Sequence, residues 1–137
     1  MTGALLSALT LQARADVITD WNQRSAQIVA EARIGTPPAV RVMALVQTAA
    51  YEATRDASRA TSTSVPAVDV AVAAAHRAAL TQLLPAHRPA LDAAFQAAVA
   101  HVPDDAVRAQ QVALGERAAQ RVLAERADEM PRTPERV

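Results

Sequence analysis

Apolar and small residues return along this chain at helical spacing, in blocks separated by Gly, Pro or short polar runs. The longest block follows Thr36-Pro37-Pro38 and runs from Val40 to Tyr51, broken only by Arg41, Gln47 and Thr48. Thr36 suits an N-cap, and Pro37 suits a first helical turn, where its missing N–H is not needed. A helix apolar on most of its circumference needs neighbours on most sides, so this block, about residues 37–57, is expected at the centre of a bundle. Gln47 lies in its most apolar part. A buried amide must be paired, so Gln47 is expected to bond across to another helix. Towards the end of the block Glu52 and Asp56 stand one turn apart, near Arg55 and Arg59. That grouping reads as a solvated ion-pair face rather than a two-carboxylate site.

The other blocks are shorter. Asp16 to Ile34 carries Ile18, Trp21, Ser25, Ile28 and Ala32 on one stripe whose only break is Ser25, and Gly35 stands where a glycine should end the helix. Trp21 reads as a core anchor. Residues 57–64 are small and polar, a loop by composition. Pro66 opens a third helix reaching about Leu84, with Val68, Val72, Ala75, Ala79 and Leu83 inward, and Pro85 breaks it. Pro89 opens a fourth that ends before Pro103, with Leu91, Phe95 and Val99 on its apolar face. Asp104 and Asp105 supply the N-cap and the favourable charge for a fifth, to about Asp128, with Val107, Leu114, Ala118 and Val122 inward. Gly115 inside that helix costs about 1 kcal/mol relative to Ala and points to a close helix crossing. The prediction is an all-α bundle of about five helices within residues 16–129. The polar, proline-broken residues 130–137 read as a disordered tail or a linker cut short.

Composition narrows the chemistry. Acidic and basic residues balance at 14 each in 137 residues, which argues against a nucleic-acid binder. Every one of those basic residues is Arg; the absence of Lys removes Schiff-base chemistry and the phosphate-cradling P-loop. The absence of Cys removes disulfides, thiolate nucleophiles and cysteine-ligated metals. An Ala-rich, aromatic-poor chain favours closely approaching helices, but each small side chain buries little area, so modest stability is expected. His76, His87 and His101 include no pair at i, i+3 or i+4, and no metal site is expected. His76 is expected in the core, bonded to a backbone or carboxylate group, with His87 in a turn and His101 at a helix C-terminus. No nucleophile–base motif or Gly-rich phosphate loop is present. The apolar run within residues 1–15 is far too short to span a membrane. It ends in Ala13-Arg14-Ala15, a pattern signal peptidase accepts, and reads as the remnant of a signal peptide that begins upstream, or else as a frayed helical turn.

Three segments together resemble the N-terminal helical part of bacterial vanadium-dependent haloperoxidase-like proteins, of the type 2 phosphatidic-acid phosphatase superfamily. They are residues 15–22 (Ala-Asp-Val-Ile-Thr-Asp-Trp-Asn), residues 35–53 (Gly-Thr-Pro-Pro-Ala-Val-Arg-Val-Met-Ala-Leu-Val-Gln-Thr-Ala-Ala-Tyr-Glu-Ala) and residues 72–80 (Val-Ala-Ala-Ala-His-Arg-Ala-Ala-Leu). Residues 113–119 are similar more loosely, and the likeness covers about 15–127. The resemblance implies export, with cleavage just before the Asp16 segment, and hence a periplasmic or secreted protein; without export it would be cytoplasmic. It also implies catalytic groups in a C-terminal half, within Lys-x6-Arg-Pro, Pro-Ser-Gly-His and Ser-Arg-x5-His, that hold vanadate or phosphate. None of these carries over. Ahead of Arg88-Pro89 the lysine position holds Thr81, after Ser58-Arg59 the histidine position holds Val65, and no Gly-His dipeptide occurs.

The expectation is therefore a helical scaffold domain without the catalytic half and inactive alone, with no catalytic, cofactor-binding or metal-binding residues. Vanadate or phosphate would belong only to the missing half, either lost by truncation or carried on a separate chain; self-association is the other expected partnership. A free-standing helical protein-interaction module is the alternative.

Overall fold

The computed structural model describes residues 16–60, 64–100 and 102–129. They form helices α1 (Val17–Ala32), α2 (Thr36–Arg59), α3 (Val65–Leu83), α4 (Arg88–Val99) and α5 (Asp105–Glu125). Single 3₁₀ turns occupy Pro85–His87 and Ala127–Glu129, and no strand occurs among the described residues. The described residues form an all-α bundle of five helices. The expectations on residues 1–15 and 130–137, and on His101, lie outside the described residues.

The helix starts follow from capping. The Asp16 carboxylate accepts from the Thr19 N–H at 2.8 Å, Ser64 Oγ from Ala67 at 3.4 Å, and Asp104 from Ala106 and Val107, each at 3.0 Å. The start of α2 differs from expectation. Thr36 is already helical, and the N-cap is Gly35, with φ 81° and no side-chain bond. Nor is Gly35 the residue that closes α1. Arg33 does so, in the left-handed region at φ 50°, so the α1–α2 corner holds two positive-φ residues in three.

The centre of the bundle is α3, not α2. From Val70 to His76 no residue of α3 reaches solvent, and Ala67, Ala79 and Leu80 extend the buried length. All four other helices pack on it. α2 lines only one side of the core, through Val42, Leu45, Val46, Ala49, Ala53 and Ala57. Its opposite side faces solvent, and there Val40, Ala44, Gln47 and Tyr51 fall on one outward stripe. Gln47 is consequently exposed and bonds across to nothing in the core, against expectation. Ile18 is also exposed; Val17, one residue earlier, is the residue of that turn packed against the core. The close crossing expected at Gly115 is present, against Ala71 and Ala74 of α3.

Candidate functional site

Two buried polar side chains of the core meet at the α1–α3 seam. Among the described residues only Ser25, His76 and Gln111 are buried and polar. Ser25 Oγ donates to the Trp21 carbonyl one turn back at 2.6 Å and lies 3.2 Å from His76 Nδ1. Because the hydroxyl proton is committed to Trp21, the imidazole must donate from Nδ1. His76 is thus the neutral Nδ1–H tautomer, and its Nε2 is an acceptor without a partner. The Trp21 indole covers the ring in a stacked arrangement, centroids 5.6 Å apart. Burial pushes the His76 imidazole down to about 4, because an imidazolium here would lose its hydration without gaining a counterion. The expected core histidine is therefore in place, but its partner is a serine hydroxyl, not a backbone or carboxylate group. The break in the α1 stripe at Ser25 was the sequence signal for that partner.

This cluster lacks the parts of a hydrolytic centre. Ser25 is wholly inaccessible, its proton points away from His76, and no carboxylate is buried with the pair. It is a polar fastening between two helices.

The α2 carboxylates lie at the surface. Glu52 pairs with Arg55 at 3.2 Å, and Arg121 of α5 bridges Asp56 at 3.0 Å and Glu52 at 3.6 Å. The cation that joins them is Arg121, not Arg59, and the bonded Asp56 carboxylate holds the Arg121 guanidinium above its ordinary value. His87 is half-buried in the turn before α4. Arg77 and Arg88 both turn to Asp92, at 3.2 and 3.8 Å, and Arg77 also lies over the Phe95 ring at 4.4 Å. An oxyanion such as vanadate or phosphate needs uncommitted cations and N–H donors around one point. With Arg77 and Arg88 already tied to a carboxylate, these residues do not fit such a group. Among the described residues no cluster of three or more His, Asp or Glu is placed to hold a metal.

The remaining feature is an open apolar groove of ≈ 590 Å³ between the C-terminal half of α1 and the N-terminal half of α2. Val29, Ile34, Ala39 and Met43 form its floor, and Val40, 62% exposed, its rim. Tyr51, 63% exposed, continues the apolar stripe along α2, with the Arg55 guanidinium 5.9 Å from its ring centroid. Sequence reasoning read this same run as interior because its composition is apolar on every side. No protein-family model, curated protein or solved structure matches the chain.

Proposed function

We propose that this chain is a helical scaffold domain of the haloperoxidase-like kind, without catalytic groups of its own, that packs through its α1–α2 face against a catalytic half carried elsewhere. The observation that supports this is the outward stripe of α2 above the groove, where Val40 and Tyr51 present apolar surface that the chain's own helices leave uncovered. Apolar surface gathered in one place, rather than scattered singly, marks an interaction site. The resemblance supplies the partner, since its N-terminal helices pack against a catalytic bundle. Cleavage after Ala15 and export complete the reading; the mass of the product recovered from an exporting host would then correspond to a chain beginning at Asp16.

The test is sedimentation at micromolar concentration together with binding of a hydrophobic dye. The chain is expected to self-associate or bind dye while retaining helical circular dichroism, and a Val40→Ser/Tyr51→Ser variant to lose that behaviour without losing helix. A compact monomer without dye binding would overturn the scaffold reading. It would favour the free-standing module, which draws on the complete burial of α3 by the chain's own helices.

A further inference from the structure

Among the described residues the bundle contains one buried ionisable ring, and that ring lies on the seam of α1. α1 contributes four buried residues, Trp21, Ser25, Ile28 and Val29, and two of them, Trp21 and Ser25, are the ones that touch His76. A proton arriving at Nε2 would create an N–H donor with no acceptor in reach, in a site from which water is excluded. No neighbouring element supplies compensation. On α1 the charges flanking Trp21 are Asp20, which is exposed, and Arg24, of the wrong sign, with its guanidinium 6.0 Å from the Trp21 ring. On α3 Asp69 stands two turns earlier, and the adjacent Arg77 is committed to Asp92 of α4. α2 and α5 send no charged side chain into the core; Glu52 and Asp56 of α2 meet Arg121 of α5 at the surface. The rest of the bundle is held without His76, by the Gly115 crossing of α3 with α5 and by the packing of α2 on both. The corner that joins α1 to α2 holds two positive-φ residues. Arg33 closes α1 in a left-handed conformation that a residue with a Cβ adopts at a cost, and Gly35 two residues on has the freedom to turn the chain.

We propose that α1 is an acid-released helix: when His76 gains a proton, α1 swings away from α3 about the Arg33–Gly35 corner, while α2, α3, α4 and α5 stay folded. Release exposes Trp21 and opens the α3 flank that α1 covers, so acidification changes the apolar surface of the domain without dissolving it. The device joins two residues 51 positions apart, Ser25 and His76: the Nδ1–H bond to Ser25 survives protonation, and it is the unpartnered Nε2–H of the imidazolium that requires the cover over the ring to open to water.

Trp21 is the sole tryptophan, so its emission reports the seam directly. The full chain is titrated from pH 7 to pH 4 with tryptophan emission, far-ultraviolet circular dichroism and histidine ring NMR recorded together. The expected result is a shift of Trp21 emission towards that of water-exposed indole, in step with protonation of His76, with the greater part of the helical signal retained. His76→Leu should move the midpoint down by at least one pH unit or abolish the transition. If the leucine variant does not fold, the NMR comparison on the unaltered chain decides. Buried emission down to pH 4, protonation of His76 without a change at Trp21, an unchanged midpoint in His76→Leu, or helix loss in step with the emission would each overturn the proposal.

Discussion

Gly115 of α5 lies so close to α3 that a Cβ built on it would stand 2.8 Å from the Cβ of Ala74, and closer still to the carbonyl oxygen of Ala71. One of those neighbours is backbone and cannot swing aside. Gly115→Ala gains about 1 kcal/mol of helix propensity, but overpacking against a fixed carbonyl costs about 1–3 kcal/mol. The expected outcome is net destabilisation, by about 1 kcal/mol, and a larger loss for Gly115→Val. Urea unfolding followed by circular dichroism measures it; a raised midpoint for the alanine variant would mean that the two helices stand further apart.

Leu45 is 2% exposed on the inner side of α2. Leu45→Asp places an unpaired charge there, at a cost of several kcal/mol in a core built of small side chains. Cooperative thermal unfolding should disappear. By contrast Gln47→Leu, on the outer stripe of the same helix, should leave the melting temperature nearly unchanged, because that amide is already in water.

Stability should fall on mild acidification. The His76 imidazole has its proton affinity lowered on folding, from 6.5 to about 4, so the unfolded chain binds the proton more readily. The contribution is complete above pH 6.5, declines as pH falls below that value and is exhausted below about pH 4. Between pH 7 and pH 5 the shift amounts to about 2 kcal/mol of lost stability at 1.36 kcal/mol per pKa unit. Asp16 acts in the same sense at lower pH, since its carboxylate, held below the ordinary value by the Thr19 backbone N–H, loses that bond when protonated. Urea midpoints at pH 7 and pH 5, compared with those of His76→Leu, isolate the histidine. Equal losses in both proteins would remove His76 as the cause.

Catalysis is expected to be absent from the chain by itself. Arg77 and Arg88 are tied to Asp92, and Ser25 and His76 are sealed from substrate. The chain assayed with vanadate, peroxide and bromide, or with a phosphate monoester, should match its buffer control. Turnover above that control would require a site that the described residues do not provide.

Most helix boundaries were legible because they depend on neighbours in sequence, the α1–α2 corner at Arg33–Gly35 being the exception. Asp16, Ser64 and Asp104 cap their own first turns, and Pro85 ends α3 where its ring forbids continuation. The order of burial was not legible in the same way. α2 drew the eye with Val, Met, Leu and Tyr, yet a helix can carry these on both faces while only one meets the core. α3 announces itself weakly, because alanine is as much a helix former as an apolar residue and buries little area wherever it sits. Six of the buried α3 residues between Ala67 and Ala79 are alanine, and their interior position follows from how closely α5 approaches at Gly115 rather than from hydropathy. The polar seam had two visible halves, a serine interrupting an apolar stripe and a histidine in an alanine run, but their meeting is a tertiary event that neither half encodes.

The middle position of α3 in the chain has a consequence for biosynthesis. A ribosome delivers the chain from its N-terminus, so the wrapped helix emerges before two of its wrappers. Until Ala118, Ala119, Val122 and Leu123 have cleared the exit tunnel, the flank of α3 that receives them stays open to water. From the emergence of α3 until that of α5 the nascent chain therefore carries an unfilled apolar trough, and a message interrupted before codon 118 yields a product that a holding chaperone or a protease would recognise as incomplete.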